Sequence, residues 1–173
     1  MRQIYLDATP LIALGAVGEL DVLTAFDGEL VVPDRVFSEV TTEPARTNVE
    51  RLLDGPARTE SIPVDPVGQA LDLLGDGEPS GDAAIIGAVL HWRERGMEAG
   101  VVSDDKRVRT MADGLGATVT GTVGAIRRSV KEGRDADEAA NLLRRVDENG
   151  LHMTGELREE ALKQIEAAAA GDD

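Results

Sequence analysis

Three features of the chain predict an α/β fold: a parallel β-sheet flanked by helices on both faces, with a helical extension at the C-terminal end. Short, almost wholly apolar runs such as "IYL", "LVV" and "GVV" recur along the first 120 residues, as expected of strands buried on both sides. A longer helical pattern follows each one, and parallel strands need such crossover connections. Acids stand where strands stop: Asp7 after the first, Asp104 and Asp105 after the fourth. Ligands of open parallel sheets gather beyond the strands' carboxyl ends.

In chain order, "QIYLD" reads as the first strand. "TPLIALGAVGELDVLTAF" reads as one helix, with Thr9 as N-cap and Pro10 at the first helical position. "ELVVP" is a strand and "DRVFSEVTTEP" a short helix halted before Pro44. "ARTNVERLLDG" is helical, "TESIPV" a weak strand, and "PVGQALDLLG" a helix entered through Asp65 and Pro66. After the turn-rich "GDGEPSG", "DAAIIGAVLHWRERG" is the long central helix. Strand "GVVS", helix "KRVRTMADGLG", strand "ATVTG" and helix "TVGAIRRSVKEG" complete the alternation. Beyond Gly133 no strand is visible; two helices are, the first opened by Asp135 with Glu138 in a capping-box arrangement. The expected division is a sheet domain over 1–133 and a helical extension over 134–173, with "EAAAAGDD" frayed.

At 173 residues and 18.3 kDa the chain suits one core. No apolar run approaches a bilayer span and "MRQIYLDATPL" has no secretory pattern, so a soluble, cytoplasmic protein without membrane contact is expected. The absence of cysteine rules out disulfides, thiolate metal sites and cysteine nucleophiles; with only His91 and His152, any metal must be held mainly by oxygen. A net charge of −15 speaks, at face value, against a nucleic-acid partner. However, aromatics at 2 %, arginine far above lysine and widely scattered acids resemble proteins from salt-loaded cytoplasms. In molar salt the Debye length falls to roughly 3 Å, and local geometry outweighs net charge.

Asp7, Asp104 and Asp105 should share one sheet edge. Glu39, in the short helix after the second strand, and Asp82, opening the long helix, should return to it, with Glu78 nearby. Two unit charges about 4 Å apart repel by roughly 1 to 4 kcal/mol in surface-like dielectrics, which a cation would offset. Hard oxygen donors select Mg²⁺ or Mn²⁺, and such a site can direct water at a phosphodiester. Each acid also has a structural reading: Asp82 at a helix N-terminus, Asp105 as a cap, Glu39 paired with Arg35. Asp7 resists this most, because Thr9 already fills the capping role. Lys106, Arg107 and Arg109 in "KRVR", with "IRRSVKEGR", are the basic concentrations; solvated helix faces are the better reading, RNA phosphate contacts the other. His91, beside Trp92, reads as a helix-packing residue, and His152 lies in the turn-like "NGLHMTG". No P-loop pattern is present.

In this order and spacing, "IYLDATPLIAL", "VVPDRVFSEV", "GEPSGDAAIIGAV", "VVSDDKRVRTMADGLG" and "VTGTVGAI" resemble the PIN-domain nucleases, the family that includes VapC-type toxins, over roughly residues 1 to 130. The resemblance implies a Mg²⁺- or Mn²⁺-dependent endoribonuclease. It assigns the site acids to Asp7, Glu39, Asp82 and Asp105, with Asp104 adjacent, and the accompanying hydroxyls to Thr9 and Ser103. The doubled acid leaves the fourth ligand open, the family pattern selecting Asp105. The implied partners are RNA, an antitoxin protein and a second copy of the chain; the apolar surplus of "LIALGAVGELDVL" also points to self-association. A non-catalytic PIN module binding RNA or a protein is the other functional class.

Overall fold

A computed structural model describes residues 1–171. The elements are β1 (Gln3–Leu6), α1 (Ala8–Ala16), a 3-10 segment (Leu20–Ala25), β2 (Glu29–Pro33), α2 (Asp34–Glu39), α3 (Ala45–Leu53), β3 (Ala57–Glu60), α4 (Val64–Leu74), α5 (Gly81–Glu94), β4 (Gly100–Val102), α6 (Lys106–Gly114), β5 (Thr118–Thr120), α7 (Thr122–Lys131), α8 (Ala136–Val146), a π-turn (Asp147–Leu151) and α9 (Gly155–Ala170). The five strands form one parallel sheet in the order β3-β2-β1-β4-β5, with helices packed around it.

This order decides where chemistry can sit. The chain leaves β1 for β2 on one side and reaches β4 on the other, so the carboxyl ends of β1 and β4 form the topological switch point, where the two connections diverge and leave a crevice. Leu6 pairs with Val102, which sets Asp7 beside Ser103.

Strands β1, β2 and β4 carry Tyr5, Leu6, Val31, Val32, Val101 and Val102, each at most 1 % exposed. Helix α5 is buried from Ala83 to Leu90, which is why its sequence shows no polar face. Tyr5 anchors it: Trp92 Nε1 donates to the Tyr5 hydroxyl at 2.7 Å, and that hydroxyl donates to Glu60 Oε1 at 3.1 Å. Burial, foremost, pushes the phenol above its usual range. Tyr5→Phe leaves Trp92 Nε1 without its acceptor and Glu60 with Arg58 alone, and is expected to lower stability by about 1–2 kcal/mol, read as a reduced urea midpoint at unchanged slope. An unaltered midpoint would refute this. His91 is half-buried, edge-on to Trp92, with Arg95 Nη1 3.2 Å from its Nδ1.

Helices α8 and α9 close over the same core. Leu142, Leu143, Val146, Ala161, Ile165 and Ala168 are buried in it, and α9 lies along α7. Asp135 caps α8 as expected, its Oδ2 accepting the Glu138 N–H at 3.2 Å. No helix among the described residues is long and apolar enough to cross a membrane.

Several expectations are corrected. Helix α1 begins at Ala8 and its N-cap is Asp7, not Thr9; a carboxylate already positioned at the strand end takes the first amide, leaving Thr9 exposed inside the first turn. The predicted single helix over 9–26 is two segments, broken where Gly18 adopts φ 73°. The third strand is "ARTE", paired with Leu30–Pro33, rather than "TESIPV". Helix α4 starts earlier, at Val64 after Pro63. The end of the chain stays helical to Ala170, with Gly171 as an αL cap at φ 76°; Asp172 and Asp173 lie outside the described residues.

Candidate active site

Asp7 is the floor of the crevice and only 3 % exposed. Its Oδ1 accepts the Ala8 N–H at 2.9 Å and its Oδ2 accepts the Ser103 hydroxyl at 2.6 Å. Ser103, fully buried, also accepts the Asp105 N–H on its Oγ at 3.1 Å, so one hydroxyl ties the two strand ends together. Burial, foremost, pushes the Asp7 carboxyl up to about 6; the bonds from Ser103 and Ala8 oppose this, and the charges of Asp82 and Glu39 add to it. The acids therefore face Asp7 closely enough to act on it.

Glu39, at the last position of α2, is exposed and reaches across to α5, its Oε1 accepting the Gly81 N–H at 2.6 Å. It does not pair with Arg35, because the unsatisfied amide of a helix N-terminus is the better donor at this edge. A Cβ at Gly81 would lie 2.6 Å from the same carboxylate oxygen, so this approach requires glycine. Ser80 caps α5, its Oγ accepting the Ala83 N–H at 3.2 Å, which leaves the Asp82 side chain outside the capping role. Asp82 Oδ2 instead accepts from Arg107 Nη2 at 3.1 Å.

The paired acids separate. Asp105 caps α6, Oδ1 accepting the Val108 N–H at 3.0 Å, while its Oδ2 has no hydrogen-bond donor among the described residues. Asp104 turns to α7: Oδ1 accepts the Thr122 N–H at 2.8 Å and Oδ2 the Thr122 hydroxyl at 2.6 Å. At Gly121 a Cβ would stand 2.5 Å from Asp104 Oδ1. Of the supporting residues, Ser103 is central. Thr9 is exposed and its hydroxyl has no partner among the described residues, and Glu78 is exposed in the loop before α5 with no bond to the other acids.

Lys106, Arg107 and Arg109 lie on the exposed first turns of α6. Arg107 is engaged: it forks onto Asp76 at 2.9 and 3.1 Å as well as holding Asp82. Nothing along the chain marks Asp76, which sits in an ordinary "GDG" turn and acts through an arginine 31 residues away. Thr122 was visible only as part of "GTVG", without its link to Asp104. Among the described residues no three acidic or histidine side chains stand close enough to share one ion as they are placed.

The sequence model of a family described as a PIN domain (DUF3368) matches residues 3–167, nearly the whole chain. The chain belongs to the PIN-domain family. PIN domains are generally nucleases, so a nuclease-type function stands on the family. The match runs through α8 and most of α9, beyond the span over which the motifs above carry the likeness. No curated protein matches this PIN domain.

Proposed function

We propose that this PIN domain is an endoribonuclease that uses Mg²⁺ or Mn²⁺ held by Asp7, Asp82 and Asp105, with Glu39 as the further catalytic acid and Asp104 as an outer, positioning acid. One observation carries the reading: a buried carboxylate, Asp7, pushed up to about 6 while two other acids face it and a shared hydroxyl links it to a third. The donor set fits a hard divalent cation, since every candidate atom is a carboxylate oxygen and the free Asp105 Oδ2 stands at the same edge. The bound cation would neutralise the carboxylates and polarise the phosphate. The chain supplies the rest. Ser103 fixes the Asp7 carboxylate relative to the Asp105 backbone, Glu39 seats the N-terminus of α5, and Asp104 seats that of α7.

Molar KCl is the medium for the test, because the composition supports a halophilic origin. Mn²⁺ at a hundredfold excess over its Kd should stabilise by about 2.7 kcal/mol, or roughly 5–10 °C in Tm, and should support RNA cleavage that EDTA stops. Equal melting temperatures together with no metal-dependent cleavage would sink the proposal. One observation favours a non-catalytic RNA- or protein-binding module: the acids are not yet within common reach of one ion. Stabilisation by Mn²⁺ decides between the two.

A VapC-like toxin role, an antitoxin partner and a homodimer belong to the same proposal and rest on the resemblance, while the cytoplasmic setting and the division at residue 133 rest on the sequence pattern. The apolar surplus of residues 11–23 no longer argues for a second copy, because Leu11, Leu14, Leu20, Val22 and Leu23 are all buried within the chain. Light scattering at micromolar protein in high salt is expected to show a dimer; a clean monomer would remove that part.

A further inference from the structure

His152 is the single non-glycine residue with positive φ among the described residues, at φ 49° and ψ 55°. A side chain in that region is costly, and such residues concentrate where the surrounding structure over-determines them for a purpose. Here the over-determination comes from Asp147, only 4 % exposed. Its backbone oxygen accepts the His152 N–H at 3.2 Å, its Oδ1 accepts the Met153 N–H at 2.5 Å, and its Oδ2 accepts Arg158 Nε at 2.7 Å. A buried carboxylate paired with an exposed arginine thus fixes a turn that ends in an exposed histidine.

The turn forms one wall of a cleft of about 540 Å³ between α9 and the carboxyl end of β5. Met153 and Leu157, the latter 58 % exposed, add apolar surface to that wall. Gly121, Val119, Val123 and Arg127 also line the cleft, with Glu160 on α9, and a Cβ at Gly121 would lie 3.2 Å from Arg109 Nη1. Unlike Arg107, the Arg109 guanidinium has no carboxylate partner among the described residues. Asp104 also lines the cleft, so it adjoins the strand end that carries Asp105.

We propose that this cleft is a subsite for one nucleotide of single-stranded RNA, with Arg109 on its phosphate and His152 against its base. The inference rests on the nuclease reading above and adds the strand's position. Unpaired bases are held on aromatic or imidazole faces and apolar side chains while a cation takes the phosphate, which is the lining found here.

The test is fluorescence anisotropy in EDTA, where no cleavage occurs, with labelled eight-nucleotide oligo(rU) and oligo(rA) as probes. Arg109→Gln should weaken binding about tenfold and reduce the slope of log Kd against log salt by about 0.7. His152→Asn, which tolerates the left-handed backbone, should weaken it about fivefold with the slope unchanged. Arg51→Gln, a cation on α3, should leave it unchanged. Wild-type affinity in both cleft variants, or no binding by the wild type, would overturn the subsite. Metal-dependent cleavage by a wild type whose cleft variants bind normally removes the subsite alone; weakened variants of a wild type that never cleaves remove the nuclease reading and leave the subsite standing.

Discussion

Asp7→Asn is expected to abolish metal-dependent cleavage and, at the same time, to make the metal-free protein more stable at neutral pH. The Asp7 carboxyl is raised from its ordinary 3.8 to about 6, with burial the largest cause. A group raised in the folded state contributes stability that is fully present below the unfolded value and lost as pH rises through the folded one. Stability from this group is therefore complete below about pH 4, declines as pH rises through 6 and is gone at pH 7.5. The corresponding cost is on the order of 2–3 kcal/mol. Asparagine removes the charge and keeps the shape: its Oδ1 can still accept the Ala8 N–H and its Nδ2 can donate to Ser103 Oγ. Thermal melts without metal at pH 7.5 should show a gain of roughly 5 °C in the variant. The wild type should gain stability between pH 7.5 and 4.5 from this group, and the variant should lack that gain. A less stable Asp7→Asn at pH 7.5, or one that still cleaves RNA, would count against both the electrostatics and the site.

The second large effect separates Asp104 from Asp105. Asp105→Asn should retain the fold, because the amide oxygen still caps Val108, and should lose cleavage and Mn²⁺-induced stabilisation, because an amide is a far poorer ligand for a hard cation. Asp104→Ala strips the acceptor from both the Thr122 N–H and its hydroxyl and should cost about 2–3 kcal/mol of stability. Asp104→Asn should lose about 1 kcal/mol and keep part of the cleavage and of the metal response. Chemical denaturation alongside Mn²⁺ titration reads both properties. If Asp105→Asn keeps the metal response and Asp104→Asn loses it, the two roles are exchanged.

What could be read from the sequence was what depends on neighbours along the chain. Buried strands declare themselves by unbroken apolar runs, and α5 by its length and lack of charge between Ala83 and Leu90. The doubled acid after β4 was legible as an ambiguity between two roles. The destination of Asp104 was not, because Thr122 belongs to the next strand–helix unit and only the parallel pairing of β4 with β5 brings it near. Thr9 misled for a local reason: Asp7 and Thr9, two positions apart, were both competent caps, and sequence does not say which one the strand end orients. Glu39 on Gly81, Arg107 on Asp76 and the left-handed His152 all depend on contacts across elements, which periodicity does not encode.

The sheet order also governs how the molecule is made. Strands β1, β2 and β3 all lie within the first 60 residues, and until residue 100 has been synthesised β1, apolar and later central, is an open edge. A nascent or truncated chain of that length offers a ready template for pairing with another chain. Asp7 gains the Ser103 hydroxyl only when β4 docks on that edge, so the step that removes the aggregation hazard is the same step that assembles the acids. A ribosome-bound chain shorter than about 105 residues would carry Asp7, Glu39 and Asp82 without the β1–β4 pairing that sets Asp7 beside Ser103.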